Sequence, residues 1–469
     1  IMVTALPTIA HDLGDVQLLG WVGASYLLST AAVSPFYGKL GDMYGRKPVV
    51  LFAVAAFLLG SLLCGLAWSM PTLIAARVLQ GIGGGGLMVS AMAIIGELFE
   101  PRERAKYQGY STIVFTLGSV LGPVAGGYLT DLFGWRSVFL VNLPIGVVVL
   151  CAIALFLRRR TGGATHRVDF LGGGLLAIGT VAIVYWSNRV LEAPHFDLPT
   201  VSLPLLGLVA IAAFVWTERR AAEPIVPLAL FRNRTISLVV VASLLAGAST
   251  LGLYFYFALY LQMVTQLPPG EIGLMFLPMS IAVAVTSIAA GRLIAATGRY
   301  KALPIAGSAL GVGLMIFYAL SDSHTPLWAL GVSFLVFGIS MGLTMQTMLV
   351  AIQASAPLKD IGAATGLATQ ARTIGASLGL ALNGAVMSAG LSSAGGALPE
   401  AVGRALPGGL ASLTPKAAET LPPDLREVAL QAFAHGFAPT FLFVGALYLA
   451  TVLLLAALSN APIPKHAMT

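Results

Sequence analysis

The stretch that decides the fold is Gly38–Lys47, which reads GKLGDMYGRK and recurs in part far along the chain. Its opening tripeptide returns as GRL at Gly291–Leu293, and its Gly45–Arg46 pair returns at Gly298–Arg299, each 253 residues later. Further glycines repeat at an offset of 257. Because the offset stays nearly constant through successive apolar segments, duplication explains it better than chance similarity between glycine-rich helices. The sequence therefore predicts two similar halves.

Composition places these halves in a membrane. The chain has 469 residues, of which 57% are hydrophobic and only 10% are charged, and its mean hydropathy is +0.89. Soluble domains carry about 25% charged residues, so this chain cannot cover a water-facing surface. The 26 Lys and Arg against 19 Asp and Glu are spread too thinly for a nucleic-acid binder, and two cysteines are too few for a disulfide scaffold. We expect a polytopic membrane protein.

The apolar runs predict the number of spans. A spanning helix needs about 20 apolar residues, and the chain holds thirteen complete runs of this kind, while Ile1–Ala10 reads as the second half of one more. The predicted fold is an all-α integral membrane protein with fourteen spans, the first of them partial. Residues 1–157 would form a first six-helix half, 158–234 a linker with two inserted spans, and 235–469 a second six-helix half. Many secondary transporters have two such halves and bind substrate between them.

Positive charge predicts the orientation. With loops placed alternately on the two sides, nineteen Lys and Arg fall on one side and five on the other. Since cytoplasmic loops carry the excess of positive charge, we expect a multi-pass protein of the cytoplasmic (inner) membrane with both termini in the cytoplasm. Asp424–Phe433, on the outer side, is expected to form a short surface helix of its own.

The stretch quoted first also carries candidate gate residues. Gly38 and Gly45 allow close helix approach and a sharp turn. Asp42 can cap a helix start or pair with a basic partner, while Arg46 and Lys47 are expected to stay at the headgroup level. Such a charged clasp can form and break as the halves move; a turn that only fixes the topology is the alternative. The stretch resembles the signature loop of the major facilitator superfamily. The resemblance implies a cytoplasmic gate that consists of Gly38, Asp42, Gly45 and Arg46.

A cation lies within the fourth predicted span. Leu73–Gly86 reads LIAARVLQGIGGGG, and Arg77 stands about a turn and a half into this apolar helix. A charged side chain deep in a span costs about 2.5–3.5 kcal/mol on insertion scales, so it serves a function, is paired, or snorkels to the surface. The segment resembles the fourth-helix motif of the superfamily, whose arginine is implicated in proton transfer. The resemblance implies a proton-coupling role for Arg77.

Small residues recur in the fifth span, where Gly118–Gly127 reads GSVLGPVAGG. Gly118, Gly122 and Gly126 stand four apart on one helix face and allow close packing, while Pro123 bends the helix. An ordinary close helix contact is the alternative interpretation. The run is similar to the motif of drug:proton antiporters of the superfamily.

Further matches narrow the resemblance to the EmrB/QacA-type 14-helix drug:proton antiporter subfamily, over nearly the whole chain. They are Trp21, Tyr26, Trp135–Arg136, Asn142–Gly146, Phe231–Asn233 and Ala371–Leu380. The resemblance implies multidrug efflux, which underlies antibiotic resistance, by exchange of a small amphipathic substrate for protons through alternating access. It makes protons and the lipid bilayer expected partners and leaves a periplasmic adaptor as a candidate. A same-fold exporter of a dedicated endogenous lipid, siderophore or metabolite is the alternative.

The acidic residues of the subfamily are the main departure. Its members carry an Asp in the first span, a few residues before the position of Ile1, and no carboxylate lies deep in a visible span. Dication exporters also carry acidic residues in the thirteenth span, where this chain has Gln370 and Arg372. Neutral, monovalent or anionic amphiphiles are therefore at least as plausible as multivalent cations.

Substrate contacts are expected from aromatic and polar side chains within the spans, with core packing as the alternative role for each. The candidates are Tyr26, Asn142, Tyr254, Phe257, Gln262, Gln346, Gln370 and Arg372. An integral-membrane enzyme would need a cluster of His, Asp, Glu or Cys at one membrane face, but the six histidines are scattered over separate loops and the C-terminal tail. The sequence therefore predicts no enzyme, cofactor or metal site.

Overall fold

The computed structural model describes residues 2–13, 19–157, 169–192, 198–221, 224–266, 269–396 and 421–458, with a few isolated positions between 398 and 418. The described ranges form a helical bundle. In chain order the helices are α1 (Met2–Leu13), α2 (Leu19–Tyr44), α3 (Arg46–Gly65), α4 (Met70–Leu98), α5 (Pro101–Phe133), α6 (Ser137–Phe156), α7 (Phe170–Glu192), α8 (Leu198–Glu218), α9 (Arg234–Ala246 and Gly252–Thr265, joined by the π-helical turn Gly247–Leu251), α10 (Pro269–Thr297), α11 (Ala302–Leu320), α12 (Leu327–Ser355), α13 (Ile361–Gly396) and α14 (Pro423–Ala456).

Nine of the described helices are long and apolar enough to cross a membrane: α3, α4, α6, α8 and α10–α14. Large apolar side chains on their outer surfaces face away from the protein, as Phe52 (63% exposed) and Leu208 (68% exposed) illustrate. Such a surface is stable against lipid and unstable against water. The chain is therefore an all-helical, multi-pass membrane protein, while the count of fourteen spans stays a prediction.

The repeat in the sequence corresponds to a repeat in packing. In the first half α2 and α3 pack against α4, and in the second half α10 and α11 pack against α12. The two most extensive helix pairs between the halves are α2 with α13 and α5 with α10. Exchanging the halves turns one of these pairs into the other, so the interface between the halves is pseudo-symmetric.

α7 and α8, which lie between the two halves in the sequence, pack against each other and cover the contact between α2 and α13. α7 contacts α2 through Tyr185 and Trp21, whose ring centroids are 5.1 Å apart. It contacts α13 through Thr180, whose hydroxyl accepts a hydrogen bond from the side-chain amide of Gln370 at 2.5 Å. The α2/α13 side of the interface is thus covered by an additional layer of protein.

Helix ends follow local signals where the chain turns sharply. α4 begins after Ser69, whose hydroxyl accepts from the backbone N–H of Thr72 in a capping box. Only Gly45 separates α2 from α3, and its φ of 85° is a conformation that glycine adopts without strain.

The last helix differs from the prediction. The surface helix expected at Asp424–Phe433 is the first part of one continuous helix, α14. Gly436 does not interrupt α14, because the absence of a side chain lets α13 pack there: a Cβ would lie 2.9 Å from the Leu391 side chain. This tertiary contact outweighs the low helix propensity of glycine.

Candidate functional site

A cavity lies between the two halves, among α4 of the first and α9, α12 and α13 of the second. Its wall consists of Met88, Met92, Ser243, Met345, Gln346, Met348, Leu349, Ala368, Thr369 and Arg372. Four of these side chains are methionine, whose flexible thioethers adapt to varied apolar shapes. Two of the predicted substrate residues, Gln346 and Arg372, are brought together in this wall.

The cavity lies at mid-depth in the bundle. We call the end of the bundle that holds the α2–α3 turn at Gly45 the basic end; α4 and α12 end there, and α13 begins there. Met88 and Met345 are ten residues from the ends of α4 and α12, and Arg372 is eleven from the start of α13. At 1.5 Å per residue, each lies about 15 Å from the basic end. Since α4 and α12 have 29 residues each and α13 has 36, the cavity lies well inside the bundle, away from both ends of these helices.

Arg372 is a cation in the cavity wall. It makes no hydrogen bond or ion pair with any residue that the structure describes, and the wall contains no carboxylate or histidine. Its backbone is closely packed, because a Cβ at Gly247 in the π turn of α9 would collide with the Arg372 carbonyl. The guanidinium therefore projects from a fixed point. Elsewhere in the described ranges, no three His, Cys, Asp or Glu side chains are grouped to hold a metal ion.

The basic end is closed by a buried ion-pair network from the GKLGDMYGRK stretch. Arg46 pairs with Asp42, and its Nε donates to a Glu97 carboxylate oxygen at 2.8 Å. Its Nη1 also donates to the Gly38 carbonyl at 3.1 Å. The Arg46 side chain is only 5% exposed, so the prediction that it stays at the headgroup level is wrong. Its carboxylate partners hold it in the interior, where the network joins α2, α3 and α4.

Asp42 extends this network to the second half. Its carboxylate accepts from the backbone N–H of Gly362 at 3.0 Å and of Ala363 at 2.8 Å. These first-turn N–H groups of α13 have no acceptor within their own helix, and the negative charge lies at the positive end of the helix dipole. The two roles that the sequence offered for Asp42, helix cap and ion-pair partner, occur together.

The three glycines of the same stretch meet three different structural requirements. A Cβ at Gly38 would collide with the carbonyl group of Gly362, so α2 and α13 meet backbone to backbone. A Cβ at Gly41 would collide with the Arg46 guanidinium, and Gly45 supplies the turn. The contact between the halves therefore depends mainly on Gly38.

A second polar cluster, which the sequence reasoning missed, joins the halves beside this network. Gln108 of α5 donates to the side-chain oxygen of Gln353 at 2.6 Å. The Gln353 amide donates in turn to the Thr365 hydroxyl at 3.1 Å and to the Met92 carbonyl at 3.3 Å. Four helices, α4, α5, α12 and α13, meet at this buried residue. The available signal was its seven-residue spacing from Gln346, which places both on one face of α12.

Arg77 lies away from the cavity, in the interior of the first half. It is seven residues from the start of α4 and only 7% exposed. Its Nε donates to the Val22 carbonyl at 2.9 Å, its Nη1 bonds the Gln80 side chain, and its guanidinium carbon lies 4.4 Å from the Tyr26 ring centroid. None of the ion pairs among the described residues includes it.

Two predicted substrate residues belong to this interior network. Tyr26 supplies the ring beside Arg77. Asn142 donates to the Ser61 hydroxyl at 3.2 Å, and that hydroxyl also accepts from the Gln80 amide at 2.6 Å. Both therefore support the first half from within and do not line the described cavity.

The other candidates are dispersed. Phe257 is 1% exposed in an aromatic cluster of the second half, with its ring centroid 4.6 Å from that of Tyr318. Gln370 faces α7. The side chains of Tyr254 and Gln262 lie outside the described part of the chain.

The glycines of the antiporter-like run in α5 have different surroundings. Gly122 and Gly126 are buried, whereas Gly118 is exposed and a Cβ there would have nothing within 4 Å. The close-packed face expected for all three therefore does not extend to Gly118 in this conformation. The side chain of Pro123 lies outside the described residues.

Comparison with known proteins adds sequence and structural relatives. Residues 1–380 match the Major Facilitator Superfamily family MFS_1. An MFS-type transporter of Mycobacterium tuberculosis is 35% identical over 370 residues, which are 79% of this chain and 54% of the relative, so the chain spans about half of that protein's length. The multidrug transporter protein MdtP of Bacillus subtilis is 33% identical over 78% of this chain and 68% of its own. The human organic anion transporter MFSD10 superimposes with a TM-score of 0.62 at 16% identity, covering 96% and 88% of the two chains, which shows a shared fold alone.

Proposed function

The chain belongs to the major facilitator superfamily, and we propose that it exports hydrophobic or amphipathic small molecules in exchange for protons by alternating access. The observation that carries the proposal is the cavity between the halves, with a methionine-rich wall. Relatives named as a multidrug transporter and as a multidrug resistance protein support the substrate range. A fourteen-span membership of the EmrB/QacA-type subfamily and the division into 1–157, 158–234 and 235–469 are part of the proposal.

Alternating access requires contacts between the halves that can be remade. At the basic end these contacts are hydrogen bonds from α13 to Asp42 and between Gln108 and Gln353, which water can replace when the halves separate. We take the basic end to be cytoplasmic, in line with the positive-inside rule. The described conformation would then be closed toward the cytoplasm, and opening would admit substrate from that side.

Proton coupling is assigned to the first half, where Arg77 is the buried charge. One charge that crosses 100 mV carries about 2.3 kcal/mol, enough to drive substrate export against a moderate gradient. In this proposal protonation elsewhere in the first half changes the interactions of Arg77. The change at Arg77 would reach the basic end as a movement of α4, because Arg77 and Glu97 are on the same helix.

The test is proton release on substrate addition. The full-length chain is reconstituted into proteoliposomes, a pH gradient is imposed, and a panel of amphipathic fluorescent compounds is added while internal pH and dye accumulation are recorded. We expect several chemically unrelated compounds to move protons, and collapse of the gradient with an ionophore to stop their accumulation.

Two outcomes would contradict the proposal in different ways. Accumulation that survives collapse of the gradient would exclude proton antiport. Transport of one compound with indifference to the rest of the panel would favour the alternative, a dedicated carrier of an endogenous lipid, siderophore or metabolite. Localisation in the inner membrane and dependence on a periplasmic adaptor are checked separately, by fractionation and by comparing efflux from whole cells with efflux from vesicles.

A further inference from the structure

We infer that the cavity selects organic anions: amphipathic molecules with an apolar body and one carboxylate, sulfonate or phosphate group that pairs with Arg372. The inference deepens the proposed export function and rests on it for its transport consequence. It starts from the single charged side chain of the cavity wall. A guanidinium at mid-membrane is costly unless it is paired, and Arg372 has no partner among the described residues.

The chemistry of the remaining wall suits the rest of such a molecule, which enters once the halves separate and widen the cavity of about 40 Å³. Met88, Met92, Met345 and Met348 offer a polarizable apolar surface from both halves. The hydroxyl of Ser243 lies in the same wall and can donate a hydrogen bond to an anionic oxygen. Since no carboxylate lies in the wall, a cationic substrate would meet repulsion from Arg372 with nothing to offset it.

The position of the guanidinium is also set by the backbone. α13 is held against α9 by backbone contacts at Arg372 and one turn beyond it, because a Cβ at Gly247 or at Gly375 would collide with the facing main chain. α9 has its π-helical turn, Gly247–Leu251, at this level, and such turns are frequent at functional sites. A fixed helix backbone at the charge reduces the cost of ordering the site when an anion binds.

The experiment uses two fluorescent probes that differ by one charge. Anilinonaphthalene sulfonate carries a sulfonate that stays ionised at any working pH, and phenylnaphthylamine is the same ring system without it. Binding to the full-length chain is titrated in nanodiscs of phosphatidylcholine, with empty nanodiscs subtracted. The variants are Arg372→Gln, Arg372→Lys and, as a matched loss of an exposed charge far from the cavity, Arg299→Gln.

We expect Arg372→Gln to weaken binding of the sulfonate by about tenfold or more, the size of a charge-assisted hydrogen bond. Binding of the neutral probe should change by less than about threefold, the context-dependent scatter of a neutral contact. Arg372→Lys should retain part of the affinity, and Arg299→Gln should retain all of it. Equal affinity for the sulfonate in wild type and Arg372→Gln would overturn the inference. So would equal loss of both probes, because that pattern indicates a structural role.

Two further arms of the experiment distinguish a lipid anion from a soluble one, and binding from transport. If phosphatidylglycerol in the nanodisc displaces the sulfonate, the natural occupant is an anionic lipid; if it does not, the occupant is a soluble amphiphile. Transport is then measured in proteoliposomes. Failure of the wild type to move either probe would count against the export function, whereas the binding titration would still decide whether Arg372 selects anions.

Discussion

Arg77 and Arg372 both lie within membrane helices, one in each half, but their surroundings differ. Arg77 is enclosed by the first half and bonds the Val22 carbonyl and the Gln80 side chain. Arg372 lies in the wall of the cavity between the halves, without a partner in the described ranges. Neither forms an ion pair with a described carboxylate.

The difference indicates which charge belongs to the fold and which is available to a ligand. A guanidinium whose donors are occupied within one half responds to changes inside that half, such as protonation, and not directly to a ligand in the cavity. A guanidinium without partners at the interface keeps its donors for whatever enters the cavity. The cost of burying a cation, about 2.5–3.5 kcal/mol on insertion scales, is offset by neighbours at Arg77 and remains for a substrate to offset at Arg372.

The largest effect is expected from Arg77→Ala. Removal of the guanidinium takes the donor from the Val22 carbonyl and leaves the buried Gln80 oxygen with only the long contact from the Cys64 thiol at 3.9 Å. We expect this to lower the free energy of unfolding by about 2 kcal/mol. We also expect proton-driven export to be lost while the protein stays in the membrane. Thermal melting in detergent, immunoblots of the membrane fraction and dye efflux from cells check the three parts. Normal export by this variant would remove Arg77 from the coupling mechanism.

The next effect concerns the interface itself. Gly38→Ala should destabilise the closed basic end by about 1–3 kcal/mol, because its Cβ would overlap a backbone carbonyl of α13. Gly118→Ala is the matched control, since a Cβ there has open space, and its melting temperature should equal or exceed that of wild type because alanine has the higher helix propensity. If both variants melt alike, the close approach at Gly38 does not hold the halves together.

A smaller shift is expected from Asp42→Asn. The amide keeps one acceptor for α13 but loses the charge that pairs with Arg46 and faces the helix N-terminus, so the closed state loses about 1–2 kcal/mol. Spin labels at Tyr44 and Leu358, both exposed, should then show a longer distance population by pulsed electron resonance. The exposed Cys151 is first replaced by serine. An unchanged distance distribution would mean that the clasp has no part in opening.

The smallest effect on stability is expected from Arg372→Met. Without substrate, this change removes a cation that has no described partner and leaves no neighbour unsatisfied. The melting temperature should therefore equal or exceed that of wild type, in contrast to Arg77→Ala. A fall as large as that of Arg77→Ala would show that Arg372 has a structural partner and would erase the distinction between the two arginines.

Sequence reasoning predicted the gate more fully than the cavity. The types and spacing of Gly38, Asp42 and Arg46 were sufficient to propose a clasp, because a short turn brings them together whatever the rest of the chain does. The burial of Arg46 and its bond to Glu97, 51 residues away, depend on how α4 packs. Gln353 was missed because its partners come from three other helices.

Similar limits apply to the substrate candidates. Gln346 and Arg372 share a cavity, but Tyr26, Asn142 and Phe257 are equally polar or aromatic and pack inside one half. Residue type is the same in both groups. Only the angular position of each helix separates a wall residue from a core residue.

The amino-acid sequence by itself determined that the chain lies in a membrane, that its fold is all-α, that it contains two similar halves, and that a charged turn follows α2. Each follows from local composition, from periodicity or from a comparison of the chain with itself. The tertiary structure decided that Arg77 is enclosed by its own half and that Arg372 faces the cavity between the halves. That choice depends on the rotation and packing of α4 and α13, and these are set by contacts between residues hundreds of positions apart, such as Gly38 with Gly362 and Asp42 with Ala363.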